Sequence, residues 1–170
     1  GLYNLLPNET LARVVHKNLS DLGGFDYSAE EAEYAKEIME SFEYQTDATL
    51  AQAKEVAPFK VIRQGKGGST DVGDVSWAVP TAGLRTATWV PGTSAHTWQA
   101  VAAGGTTIGK KGMILAAKAL ALSAVDLFTS PSVLAKAKEE LDDLKGEGYE
   151  YEALLGDREP PLDYRKGKGE

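Results

Sequence analysis

The stretch from Lys110 to Phe128 constrains the fold most, because its alanine- and leucine-rich pattern fits one long helix and little else. Met113, Ile114, Ala117, Leu120, Ala121, Ala124, Val125 and Phe128 recur at helical spacing. That spacing predicts a buried apolar stripe, with small residues that permit close packing. Thr129-Ser130-Pro131 breaks the pattern. Ser130 or Ser132 can then cap a shorter helix bearing Val133, Leu134, Ala137, Leu141 and Leu144, ended by Gly146 and Gly148. Near the N-terminus, Asn8 can cap a helix beginning at Glu9, with Leu11, Val14, Val15, Leu19 and Leu22 on one side and a stop at Gly23-Gly24. Ser28 and Glu31 form a capping box opening a second helix to about Phe42, which buries Ala32, Ala35, Ile38, Met39 and Phe42. Residues 45–57 read as helix or loop.

The middle third changes character. Phe59, Val61 and Ile62 suggest a short strand, followed by the small-residue loop GKGGSTDVGD. Leu84–Val90 (LRTATWV) reads as a clearer strand ending in the loop PGTSAHTWQ. Polar loops after strands are where open α/β sheets usually place their sites. The expectation is an α/β fold with helices at both ends and a few central strands. One domain is expected over residues 1–157, with an irregular tail over 158–170 carrying Pro160-Pro161.

With 170 residues, 42% hydrophobic and 25% charged, the chain has the makings of one globular domain. Its net charge of -7 argues against a general affinity for nucleic acid or anionic membranes. Lys110, Lys111, Arg165, Lys166 and Lys168 come closest to a basic patch and read as solvated charges. The chain has no cysteine, which removes disulfides and thiolate ligands and agrees with a reducing, cytoplasmic setting. No apolar run approaches the roughly 20 residues of a membrane span. GLYNLLPNET lacks the features of a signal peptide and an initiator methionine, so the natural protein is expected to begin upstream.

Two histidines and two aspartates are the chemical candidates. His16 lies beside the apolar side of the first predicted helix and reads as an ordinary helix residue. His96 sits in a loop after a predicted strand, among Thr93, Ser94 and Thr97. It is either a ligand or catalyst, or a plain loop histidine; a metal site needs three or four protein ligands, which one histidine cannot supply. Asp71 and Asp74 flank Gly73. They could bind a cation or act as acid and base, or could simply cap turns through Asx hydrogen bonds. No P-loop, HExxH or GxSxG motif is present. Trp77, Trp89 and Trp98 read as core or rim residues, since no basic groove accompanies them.

The strings GSTDVGDVSWAVPT (Gly68–Thr81) and GTSAHTWQAVAAGG (Gly92–Gly105) resemble the C-terminal signature of the aminobenzoyl-glutamate hydrolase group. That group is part of a family of metal-dependent aminoacylases and carboxypeptidases. The resemblance extends through KKGMILAAKALALSAVDLFTSPSVLAKAKEEL and back to YNLLPNETLARVVHKNL.

The resemblance implies a three-layer α/β catalytic domain interrupted by a smaller domain that commonly dimerises. It implies two divalent metals, zinc or manganese, bridged by a water, and an acidic general base in the first half of the chain. It places the last metal ligand at His96 and a site-supporting acidic residue at Asp71; Ser69, Thr70 and Asp74 are neighbours without a role. The substrates implied are small amides of the aminobenzoyl-glutamate or N-acyl-amino-acid type. The remaining ligands and the base match nothing in this sequence. The chain therefore reads as the C-terminal part of a catalytic domain whose N-terminal half is a missing partner, inactive alone. A non-catalytic association domain, or a subunit completed by a separately encoded half, are the alternatives.

Overall fold

The computed structural model describes residues 2–62 and 70–162. Six α-helices and one 3-10 turn make up its regular structure: α1 Glu9–Leu22, α2 Ala29–Glu40, the turn Leu50–Ala53, α3 Val72–Ala78, α4 Trp98–Gly104, α5 Thr107–Thr129 and α6 Pro131–Lys145.

The helix starts follow from local chemistry. The Asn8 side chain accepts the Leu11 N–H at the head of α1. Its Nδ2 also donates to the Ala137 carbonyl of α6 at 2.8 Å, so one residue caps one helix and ties it to another. Glu140 completes that joint by accepting the Glu9 and Thr10 N–H groups at 2.6 and 2.9 Å. α1 ends at Gly23, whose φ of 71° suits a residue without Cβ. Ser28 and Glu31 form the expected reciprocal box at α2. Ser130 precedes α6 without a side-chain cap, and Pro131 occupies the first turn, where its missing N–H costs nothing.

α1 lies against α5 and α6. The α5 residues that are buried are mostly small: Gly109, Gly112, Ala119 and Ser123, with Ile108 the large one. Asn18 of α1 donates to Ser123 Oγ at 3.3 Å and to Asp126 at 2.7 Å, so the seam is polar as well as close. A second core joins Ala35 and Ile38 of α2 to Val90, Ala103 and Ile108. Lys111 links the two, reaching Glu31 at 2.5 Å and the Asp26 carbonyl at 3.0 Å.

Three expectations are corrected. The described residues contain no strand and are helical wherever they are regular, so the three-layer α/β expectation fails. A strand exists only where its N–H and C=O groups pair with a neighbour. The backbone hydrogen bonds of Leu84–Val90 run instead from Thr88 N to Thr86 O and from Thr93 N to Val90 O. The segment crosses α5, where Thr86 Oγ1 donates to the Gly112 carbonyl at 2.9 Å. Phe59, Val61 and Ile62 are likewise not in a strand. Second, the α5 stripe is exposed: Met113 is 59% exposed and Phe128 88%. The small-residue side of the helix faces α1 at Ser123, Ala87 at Gly112 and Gly104 at Gly109, which leaves the bulky side outward. Third, α5 is long and apolar enough to cross a membrane by length and composition, against the expectation that no apolar run comes near that length. The GKGGS part of the predicted loop, with Ser69, and the basic tail residues lie outside the described residues.

Candidate functional site

The first candidate region is built on α3. Thr70 Oγ1 accepts the Val72 N–H at 3.3 Å, turning the chain into the helix. Asp71 stands at the N-cap position, exposed, and its side chain caps nothing. Asp74 makes long-range contacts in place of a local turn cap. Its carboxylate accepts the Tyr3 N–H at 3.3 Å and the Tyr151 hydroxyl at 2.9 Å. Ser76 accepts the Leu6 N–H at 2.8 Å, and Trp77 Nε1 donates to the Asn4 carbonyl at 2.8 Å. Gly73 lets the segment of residues 3–6 come close, since a Cβ there would run into the Tyr3 carbonyl oxygen. Tyr3, Trp77, Tyr149 and Tyr151 pack ring on ring, with centroids 5.1 to 5.7 Å apart. The hydrogen bond to Asp74 raises the Tyr151 phenol above its usual range, and burial does the same for Tyr149. Both ends of the described chain thus clamp the helix that follows Asp71.

The second region is the loop from Pro91 to Thr97. Tyr44, stacked on Phe42, donates to the Gly92 carbonyl and accepts the Ser94 N–H, each at 2.9 Å. Thr97 closes the loop by donating to the Ser94 carbonyl at 2.8 Å and capping α4 at Ala100. Between these two ties His96 has φ 62°, the one positive φ at a non-glycine position among the described residues. Histidine tolerates this left-handed region better than most residues, but at a cost, and such strain gathers at functional sites. His96 is exposed in a shallow cleft of about 450 Å³ with Trp89, Thr97, Trp98, Ala100 and Val101. The Thr93 hydroxyl nearby in sequence is buried with no hydrogen-bond partner among the described residues.

His16 is accounted for differently. Its Nε2–H donates to the Ala57 carbonyl at 3.0 Å, and its ring meets Phe59 edge-on, with Arg13 over the same phenyl. It lines a separate pocket of about 470 Å³ that includes neither His96 nor Asp71. No hydrogen bond or ion pair joins Asp71 to His96 among the described residues.

A metal pair finds too few donors here. Among the described residues no group of three or more histidine, cysteine or acidic side chains converges, and a metal site wants three or four ligands. The described residues do not fit a self-contained metal centre. Sequence reasoning could single out His96 and Asp71 but missed the Asp74 clamp. The sequence signal for it was the close spacing of Tyr149 and Tyr151 after the last predicted helix.

Fold and site together define a helical scaffold that presents one strained histidine on a tied loop, with no converging set of further donors among the described residues. The chain is 34% identical over 158 residues to a subunit of the p-aminobenzoyl-glutamate hydrolase of Escherichia coli (strain K12), a match covering 79% of this chain and 33% of that protein. An aminobenzoyl-glutamate hydrolase-like relative is therefore established, as the two central strings suggested. The chain spans about a third of the length of this curated relative. No family model matches the chain. No solved structure matches it.

Proposed function

We propose that this chain forms the C-terminal part of a metal-dependent amidohydrolase acting on amides of the aminobenzoyl-glutamate or N-acyl-amino-acid type, and that it is inactive alone. His96 contributes one metal ligand, Asp71 supports the neighbouring loop, and the general base and remaining ligands come from polypeptide outside this chain. The metals are zinc or manganese, and a cysteine-free sequence suits a cytoplasmic protein. Residues 1–157 act as one unit in this reading.

The observation that carries the reading is the coincidence of two independent facts at one position. His96 lies within the string resembling the group's ligand loop, and it is held in a left-handed backbone conformation on a loop fixed by Tyr44 and Thr97. The test is amide cleavage of p-aminobenzoyl-glutamate by the purified 170-residue protein. No turnover is expected from the chain alone, and turnover is expected when the unmatched two-thirds of the relative is co-expressed with it. Turnover by the isolated chain, abolished in His96→Ala, contradicts the proposal. The second reading, an association domain without catalysis, draws on the exposed apolar side of α5 and predicts no turnover in either case.

A further inference from the structure

α5 turns its small residues inward and its large ones out. Gly112, Ala119 and Ser123 are buried, whereas Met113, Ile114, Leu120, Val125 and Phe128 are at least half exposed. At 1.5 Å per residue the outward stripe runs for about 22 Å. A contiguous apolar patch on this scale marks a contact surface.

Three occupants can be weighed. A bilayer fits poorly, because the opposite side of α5 carries Asp126 bonded to Asn18 and Lys111 paired with Glu31, and lies against α1 and α6. A spanning helix would have to shed those packed polar partners. A second copy would cover the stripe, but no structural feature favours self-pairing. A long polypeptide does have support: the relative is about three times as long as the matched region, so about two-thirds of it lies outside the match.

We infer that the Met113–Phe128 side of α5 is the seat of the polypeptide corresponding to the unmatched two-thirds of the relative. Apolar contact, and not metal bridging through His96, holds the two together. The inference rests on the proposed function for the identity of the partner. It differs in what it requires of His96, which is nothing.

The test is co-expression of a tagged 170-residue chain with the unmatched portion of the E. coli relative. Co-purification at one-to-one stoichiometry is expected for the wild type. Leu120→Lys and Phe128→Asp, both at exposed positions, should each reduce the recovered complex at least tenfold while leaving the circular dichroism of the chain unchanged. His96→Ala should co-purify as the wild type does. Failure of the wild type to form the complex overturns the inference. So does full recovery with both stripe variants, loss of the complex in His96→Ala, a stable dimer of the chain alone that Leu120→Lys dissolves, or flotation of the chain with lipid vesicles. A complex that forms as described yet shows no turnover leaves the docking surface standing and removes the amidohydrolase reading.

Discussion

Replacing Lys111 with methionine isolates the link between the two cores. The Lys111 ammonium lies 2.5 Å from a Glu31 carboxylate oxygen, and the same carboxylate accepts the Ser28 N–H at 2.7 Å. The Glu31 side chain is 9% exposed and that of Lys111 37%. Its hydrogen bond to Lys111, reinforced by Thr107, holds the Glu31 carboxyl at about 2 instead of 4.5. Taken whole, that drop corresponds to about 3 kcal/mol at roughly 1.4 kcal/mol per tenfold change. Lys111 is open to water, and the Thr107 and Ser28 bonds to Glu31 remain in the variant, so the share lost with Lys111 is about 1–2 kcal/mol. A carboxyl whose acidity is strengthened on folding stabilises the folded state above its unfolded value, and the contribution disappears as pH falls toward the folded value. The window is therefore pH 4.5 down to about 2. Lys111→Met keeps most of the apolar stem and removes the charge. Urea unfolding at pH 7 should show a loss of about 1–2 kcal/mol, or a melting temperature lower by roughly 2–8 °C for a domain of this size. Near pH 2.5 the gap between variant and wild type should largely close. Equal stability at pH 7, or a gap of the same size at pH 2.5, refutes the reasoning.

Gly112→Val puts a branched side chain where even a Cβ would run into the Ala87 carbonyl. Urea unfolding should show a loss of about 2 kcal/mol or more, and a neutral result would deny the close crossing of α5 by Leu84–Val90. His96→Gly should stabilise the chain by about 0.5–1 kcal/mol in a thermal melt, because glycine accepts a φ of 62° without strain, whereas His96→Ala should not. If His96→Gly instead destabilises, the loop is not strained at that position.

What was legible in the sequence was local. Asn8 and the Ser28–Glu31 box carry their own hydrogen-bond logic within one turn, so both helix starts could be read directly. α3 and α4 are only seven residues long and too short to build a periodic pattern; Asp71 does not even cap the helix it precedes. Leu84–Val90 has the composition of a strand, but composition states a preference and pairing needs a neighbour, which the described residues do not provide. The α5 stripe shows the same limit from the other side. Helical spacing of Met113 through Phe128 says that a face favours burial, not that its cover is in the same chain. For the site, His96 stood out only through the resemblance of its flanking string. The Asp74 clamp was hidden because Tyr3 and Tyr151 lie 71 and 77 residues away in sequence.

The central claim is that His96 supplies one ligand to a metal centre completed from outside this chain. Metal content, measured by elemental analysis of the complex between this chain and the unmatched portion of the relative, tests it most directly. The account predicts near-stoichiometric zinc or manganese in the wild-type complex, strong loss in the His96→Ala complex, and no stoichiometric metal on the isolated chain. Metal retained in full by His96→Ala, or bound stoichiometrically by the isolated chain, would contradict it.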